Sequence, residues 1–266
     1  MRNTLEASLR KPASALGVLA LLLASTLQSF APPPLVTGDV PTADQGTFEW
    51  YVGGLYQHSG SISRALPFTE LVYGLTKRWE VTAETAFLST QGEHGLGDLV
   101  LGTKYVLLPE TEQLPGVAVS FDASLPTGDE TKGLGSGAPE FDLRARMQKT
   151  FGAFTPILNF GYVILEEPKI GGIRQPREDY VRASAALEWQ VAERTKLLTE
   201  IYGRGKDEPT GEYRIAAQVG FKHKFSDTLQ IHGAVGRSLR DHAKGGPDLR
   251  VYLGMRINFD APWANQ

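Results

Sequence analysis

The sequence predicts an all-β protein: a closed antiparallel transmembrane β-barrel of about twelve strands behind an N-terminal signal peptide. Three observations predict it. Short segments alternating apolar and polar residues follow one another from Gly46 to Phe259. Short and long polar connections take turns between them. The first residues have the make-up of an export signal.

The export signal comes first in the chain. Arg2, Arg10 and Lys11 precede an apolar stretch from Ala15 to Leu27, and the small residues Ser29 and Ala31 follow. A basic region, a short apolar core and a small-x-small site define a secretory signal peptide, here residues 1–31. The apolar core falls short of the roughly 20 residues that a permanent transmembrane helix needs. Pro32 directly after Ala31 is a poor context for cleavage. Residues 32–45 are proline-rich and polar, which reads as an extended linker emerging on the periplasmic side.

Composition narrows the remainder. The 266 residues include no cysteine, which excludes disulfides and thiolate metal sites. The net charge is −3, and residues 1–31 carry +2 of it (Arg2, Arg10 and Lys11 against Glu6), leaving −5 for the rest. No basic excess points to nucleic acid. The slightly negative mean hydropathy argues against a helical membrane protein only, because barrel strands alternate and average near neutral.

The strands are next. From 79 to 87, Trp79, Val81, Ala83 and Phe87 share one face, and Glu80, Thr82 and Glu84 the other. From 180 to 191, Val181, Ala183, Leu187 and Trp189 oppose Tyr180, Arg182, Ser184 and Glu188. From 249 to 259, Leu249, Val251, Leu253, Met255, Ile257 and Phe259 oppose Arg250, Tyr252, Arg256 and Asn258. Such runs begin near Thr47, Ala65, Trp79, Leu96, Gly116, Glu140, Phe154, Asp179, Thr195, Glu212, Thr228 and Asp248. Most approach the roughly 9–11 residues of a tilted membrane strand.

Tight turns fall at 74–77, 150–153, 192–194 and 225–227, with longer polar stretches at 58–64, 90–95, 126–139, 167–178, 206–211 and 240–247. Outer-membrane barrels keep this asymmetry, with short turns in the periplasm and long loops outside. Residues 109–115 are the exception, a connection that should be short and is not. Aromatic residues concentrate on the apolar faces near strand ends, where interfacial girdles form. Open strand edges in hydrocarbon would cost several kcal/mol per unpaired group, so the sheet over 46–259 has to close. Residues 260–266 are expected to trail into the periplasm.

If the apolar faces meet lipid, the charged faces line a lumen. The acids expected there include Glu80, Glu84, Asp98, Asp142, Glu188 and Glu200, and the bases Lys104, Arg144, Arg146, Arg182, Arg204, Arg214, Arg250 and Arg256. Acids gather in the first half of the chain and bases in the second, so closure sets unlike walls face to face. Two readings stay open: a transverse field in a polar channel, or a salt-bridged ladder that plugs the barrel.

Chemistry is sparse. The five histidines are dispersed, without metal-ligand spacing. His58 and Ser59 are adjacent in a polar loop, but no asparagine or acid stands at a recognisable spacing to orient the histidine. The glycines at 95–97 and 133–137 open no helix and precede no Gly-Lys-Ser/Thr. No catalytic, metal or cofactor site is expected.

Several stretches resemble a known family: Pro67-Phe68-Thr69-Glu70-Leu71-Val72-Tyr73-Gly74-Leu75-Thr76-Lys77-Arg78-Trp79, then Gly97-Asp98-Leu99-Val100-Leu101-Gly102-Thr103-Lys104-Tyr105, then Ser124-Leu125-Pro126-Thr127-Gly128-Asp129. In order and spacing they are similar to the bacterial outer-membrane family named for the MetA pathway of phenol degradation, described as transporters. The resemblance implies a barrel of about twelve strands that passes small, often aromatic or hydrophobic, compounds. It supplies no catalytic residues. The last strand resembles the signal read by the barrel-assembly machinery through Tyr252, Gly254, Ile257 and Phe259, although Phe259 is not terminal. The expected partners are outer-membrane lipid, that machinery and a small-molecule solute. The leading expectation is a passive channel; a structural or adhesive barrel with a plugged lumen is the alternative, and a lipid hydrolase the third.

Overall fold

The computed structural model describes residues 34–59, 61–90, 92–170, 173–240 and 248–263; the expected signal peptide lies outside them. Twelve antiparallel strands form the wall: β1 (Thr47–Ser59), β2 (Ser61–Thr76), β3 (Trp79–Thr90), β4 (Leu99–Leu108), β5 (Gly116–Leu125), β6 (Glu140–Gln148), β7 (Phe154–Leu165), β8 (Tyr180–Ala192), β9 (Thr195–Arg204), β10 (Arg214–Lys224), β11 (Leu229–Ser238) and β12 (Leu249–Asp260). Each pairs with its chain neighbours, and β1 pairs with β12 from Thr47↔Asp260 to His58↔Leu249. The ring is closed, so no edge is left without hydrogen-bond partners.

Period-two alternation becomes two unlike surfaces. Trp79, Leu101, Phe121, Leu143, Phe160, Val181, Trp189 and Leu253 are exposed on the outside. Glu80, Lys104, Arg144, Asn159, Glu188 and Arg250 are buried inside. A barrel dissolved in water would reverse this, so the solvent that fits the outer surface is lipid.

Two stretches expected as long loops are largely strand among their described residues. Residues 58–59 and 61–64 continue the β1–β2 pairing to Ser59↔Ser61, and residues 93–95 belong to a short strand, Glu93–Leu96, that pairs with the end of β3. Polar composition there misled because these ladders run past the apolar band, where strands can be polar on both faces. The long connection 109–115 also finds its reason. Glu110 accepts Gln148 Nε2 at 3.2 Å and the Thr150 amide at 2.6 Å, and Lys149 Nζ donates to Glu112 O at 2.8 Å. It braces the neighbouring turn.

As far as Trp263, the C-terminal tail is held against the barrel. Ala261 is buried and donates its amide to Gly46 O at 2.8 Å, and Trp263 Nε1 donates to Tyr73 Oη at 3.1 Å.

The largest departure is at the other end. Residues 34–46 are extended, as their composition suggests, but they run inside the barrel. The segment leaves the wall where the Gly46 amide meets Gly74 O at 2.9 Å. A Cβ at Gly74 would lie 2.2 Å from Asp44 O, so only glycine admits the crossing.

Candidate functional site: an occupied lumen

Inward side chains grip the segment by its backbone. Glu200 accepts the amides of Val36 at 3.0 Å and Thr37 at 2.6 Å. Asn159 accepts from Gly38 N at 2.7 Å and donates to Gly38 O at 2.9 Å. Gln148 accepts from Val40, Glu80 from Ala43, and Lys104 donates to Pro41 O. An extended chain carries a donor and an acceptor at every non-proline residue, which is costly to bury unpaired. Here the wall's amides and carboxylates supply what a neighbouring strand would.

Apolar anchors complete the fit. Leu35 packs with Ile157, Ala186 and Leu198; Val40 with Val106 and Ala118; Ala43 joins Tyr51, Leu55, Phe68, Val72 and Tyr252. Burying a leucine or valine contributes about 1.5–3 kcal/mol. The anchors and hydrogen bonds together make this a seated closure at the periplasmic end.

The outer end is filled from a loop. Asp98 accepts the amides of Gly128 at 2.9 Å and Ser136 at 2.7 Å, and Thr127 Oγ1 accepts the Leu99 amide at 2.9 Å. Loop 126–139 is thereby drawn inward, and Leu134 is buried in the cluster that also holds Leu55 and Leu88. The close approach of 128 to 135 requires glycine: a Cβ at Gly128 would lie 2.4 Å from Leu134 O.

The charged residues expected to line the lumen pair mainly with near neighbours in the wall. Glu80 and Lys104 stand opposite in register, 2.9 Å apart. Arg144 lies 2.9 Å from Asp122 and 3.0 Å from Asp142, and Arg182 reaches Asp142 across Gly161, whose missing side chain leaves room. Arg146 donates to Ser120 Oγ at 3.1 Å and to Asp39 O at 3.3 Å. Glu188 takes Lys196 and Lys222 at 2.7 Å each. Arg250 donates to Gln218 at 2.9 Å, Arg256 meets Glu49 at 3.1 Å, and Arg204 meets Asp207 at 2.7 Å with Arg214 at 3.9 Å. Glu84 is buried opposite Glu70. Asp98 and the Arg204–Asp207 pair sit toward the outer mouth.

His58 does have an acid beside it. Asp248, from the far end of the chain, approaches Nε2 to 3.9 Å across the β1–β12 seam. That is too long for a hydrogen bond, and the Ser59 side chain is not among those described.

Sequence reasoning missed Asn159, Gln148 and Gln218, the uncharged members of the grip, the last of which donates its Nε2 to Pro34 O at 3.3 Å. Their signal was present: each is an amide at an inward position of a strand.

Solved barrels share this architecture. The COG4313 outer membrane channel from Pseudomonas putida F1 superposes with a TM-score of 0.71 at 17% identity, covering 85% of this chain and all of that one. The NanC porin follows at TM-score 0.60 and 8% identity, over 78% of this chain and 98% of its own. The KdgM porin gives 0.53 at 10%, over 79% and 99%. No curated protein sequence matches. The family model described as "Putative MetA-pathway of phenol degradation" matches residues 34–249, which take in the gripped segment and nearly the whole wall, and the chain belongs to that family.

Proposed function

We propose that the protein is a passive outer-membrane channel for small organic solutes, held closed here by segment 34–46 and by loop 126–139. The carrying observation is how the lumen is filled. One extended segment crosses it on side-chain hydrogen bonds, such as the pair between Asn159 and Gly38, and adds no strand to the wall. Such a segment can leave without unravelling the barrel. The apolar inner surface at Tyr51, Leu55, Phe68 and Leu88 suits the ring or chain of a hydrophobic solute. The family's description points the same way, to phenol-like compounds. The lumen is read as non-catalytic, and outer-membrane lipid and the barrel-assembly machinery as the partners outside it.

Flux into liposomes tests this. The intact chain is expected to admit little, and a variant lacking residues 34–43 to admit phenol-sized and larger polar solutes. A specific observation favours the plugged structural barrel as second reading: interior ion pairs such as Glu80–Lys104, Asp122–Arg144 and Glu188–Lys196 are already satisfied between neighbouring strands. No flux through either protein would select it and end the channel proposal.

A further inference from the structure

Segment 34–46 leaves a polar cavity of about 220 Å³ beside it at the periplasmic mouth. Its charged lining is unbalanced. Arg194, Lys196, Lys222, Lys224 and Arg256 face it, against Asp39, Glu188 and Glu193, an excess of two positive charges (five against three). Glu49, which holds Arg256 from outside the lining, reduces the excess to one.

Asp39 is the exception among the segment's contacts. Its neighbours are fixed by their backbone, but its carboxylate lies 3.7 Å from Lys104 Nζ, with 41% of the side chain exposed. Charge-assisted bonds close to about 2.7–2.9 Å. Lys104 spends its close contacts elsewhere, at 2.9 Å on Glu80 and 2.5 Å on Pro41 O. The fields of Lys222, Arg146 and Arg256 also act on Asp39. A carboxylate thus sits in a cationic cavity, attracted from several sides and closely bonded by none of the side chains among the described residues.

We infer that this cavity is a binding site for small carboxylate anions, in which the Asp39 side chain stands where a solute's carboxylate binds. A solute anion there competes with Asp39 for Lys222 and Arg256. It therefore binds better when the segment has moved away, and its occupancy shifts the equilibrium toward the unseated segment. The inference deepens the channel reading by naming a solute class. It rests on that reading only for the consequence of binding, since binding itself needs no flux.

The test is calorimetric titration of the full chain in detergent with benzoate, and with benzamide as its neutral counterpart. Benzoate is expected to bind and benzamide not. In Asp39→Asn the benzoate affinity rises about threefold, because the competing charge is gone. In Lys222→Gln/Lys224→Gln it falls about tenfold, as on loss of partly desolvated charge partners. Retained heat-modifiable mobility shows that each variant is folded. Equal binding of benzamide, no benzoate binding by Asp39→Asn, or affinities indifferent to both substitutions would overturn the site. Liposome flux without benzoate binding sinks this inference alone; binding without flux in any variant sinks the channel reading alone.

Discussion

Asn159 makes both hydrogen bonds that Gly38 can offer, accepting its amide at 2.7 Å and donating to its carbonyl at 2.9 Å. One side-chain amide thereby does for a residue of the closing segment what a paired strand does for a residue of the wall. Leucine at this position is close in size and has no polar atom. Asn159→Leu leaves two buried backbone groups of Gly38 unpaired, at about 1–3 kcal/mol each. The barrel should survive, since its ladder is untouched, and the segment should unseat. Single-channel recording is expected to show larger and more frequent openings than the parent. Unchanged conductance would mean that the segment is held elsewhere.

At the outer mouth Asp98 is the corresponding clasp, with one oxygen on the Gly128 amide and the other on the Ser136 amide. Asp98→Ala frees both amides and with them loop 126–139, so Leu134 should lose its place beside Leu88. Cleavage of this loop by an added protease on whole cells is expected to rise at least several-fold. Asp98→Asn keeps one acceptor and should fall between. Equal cleavage in all three would show that the apolar seat of Leu134 suffices to hold the loop.

These clasps explain what could be read from the sequence. Strand positions were legible because alternation writes itself into every second residue: Trp79, Phe154 and Thr195 begin strands where the pattern says. The ends of β1 and β2 were not, because polar residues beyond the lipid band lose the alternation that marks a strand. The occupied lumen was missed for a subtler reason. Ile157, Leu198, Val106 and Ala118 stand at inward positions, where a water-filled channel calls for polar residues, and they are the seats of Leu35 and Val40. Period-two counting treats them as noise. Gly97-Asp98 and Pro126-Thr127-Gly128 carried the family resemblance without a reason until the structure joined them through Asp98 and Thr127.

The external loop between β9 and β10 should respond to acid. Burial on its own would raise the pKa of Asp207, but the charges of Arg204 and Arg214 outweigh it and hold the carboxyl below its ordinary value of 3.8. A depressed folded pKa contributes stability that is complete above the unfolded value and is lost as pH falls through the folded one. The loop is therefore expected to stay ordered through pH 5 and to loosen only below about pH 3.9. Pepsin cleavage of this loop against pH measures it. Asp207→Asn, which has no charge to lose, should show no acid step, and an identical step in that variant would assign the transition to another group.

The last prediction concerns the seam where the barrel closes. Phe48 on β1 stacks on Phe259 of β12 at 5.3 Å, and Trp263 stands edge-on to Phe48 and to Tyr73 of β2, at 6.0 Å from each. The aromatic cluster therefore ties the first, second and last strands together at the periplasmic end. It also gives the residues after Phe259 a role, as a clasp laid across the join. Each aromatic pair contributes about 0.5–1.5 kcal/mol beyond the area it buries. Trp263→Ala should lower the temperature at which the folded band is lost in a heat-modifiability gel. Trp263→Phe keeps the ring contacts and gives up the hydrogen bond to Tyr73, so it should recover most of the difference. A truncation after Asp260 should match Trp263→Ala or fall slightly below it, since it also removes the Ala261 amide from Gly46 O. Full stability in the truncated chain would show that the wall's own ladder, from Thr47↔Asp260 to His58↔Leu249, closes the seam unaided.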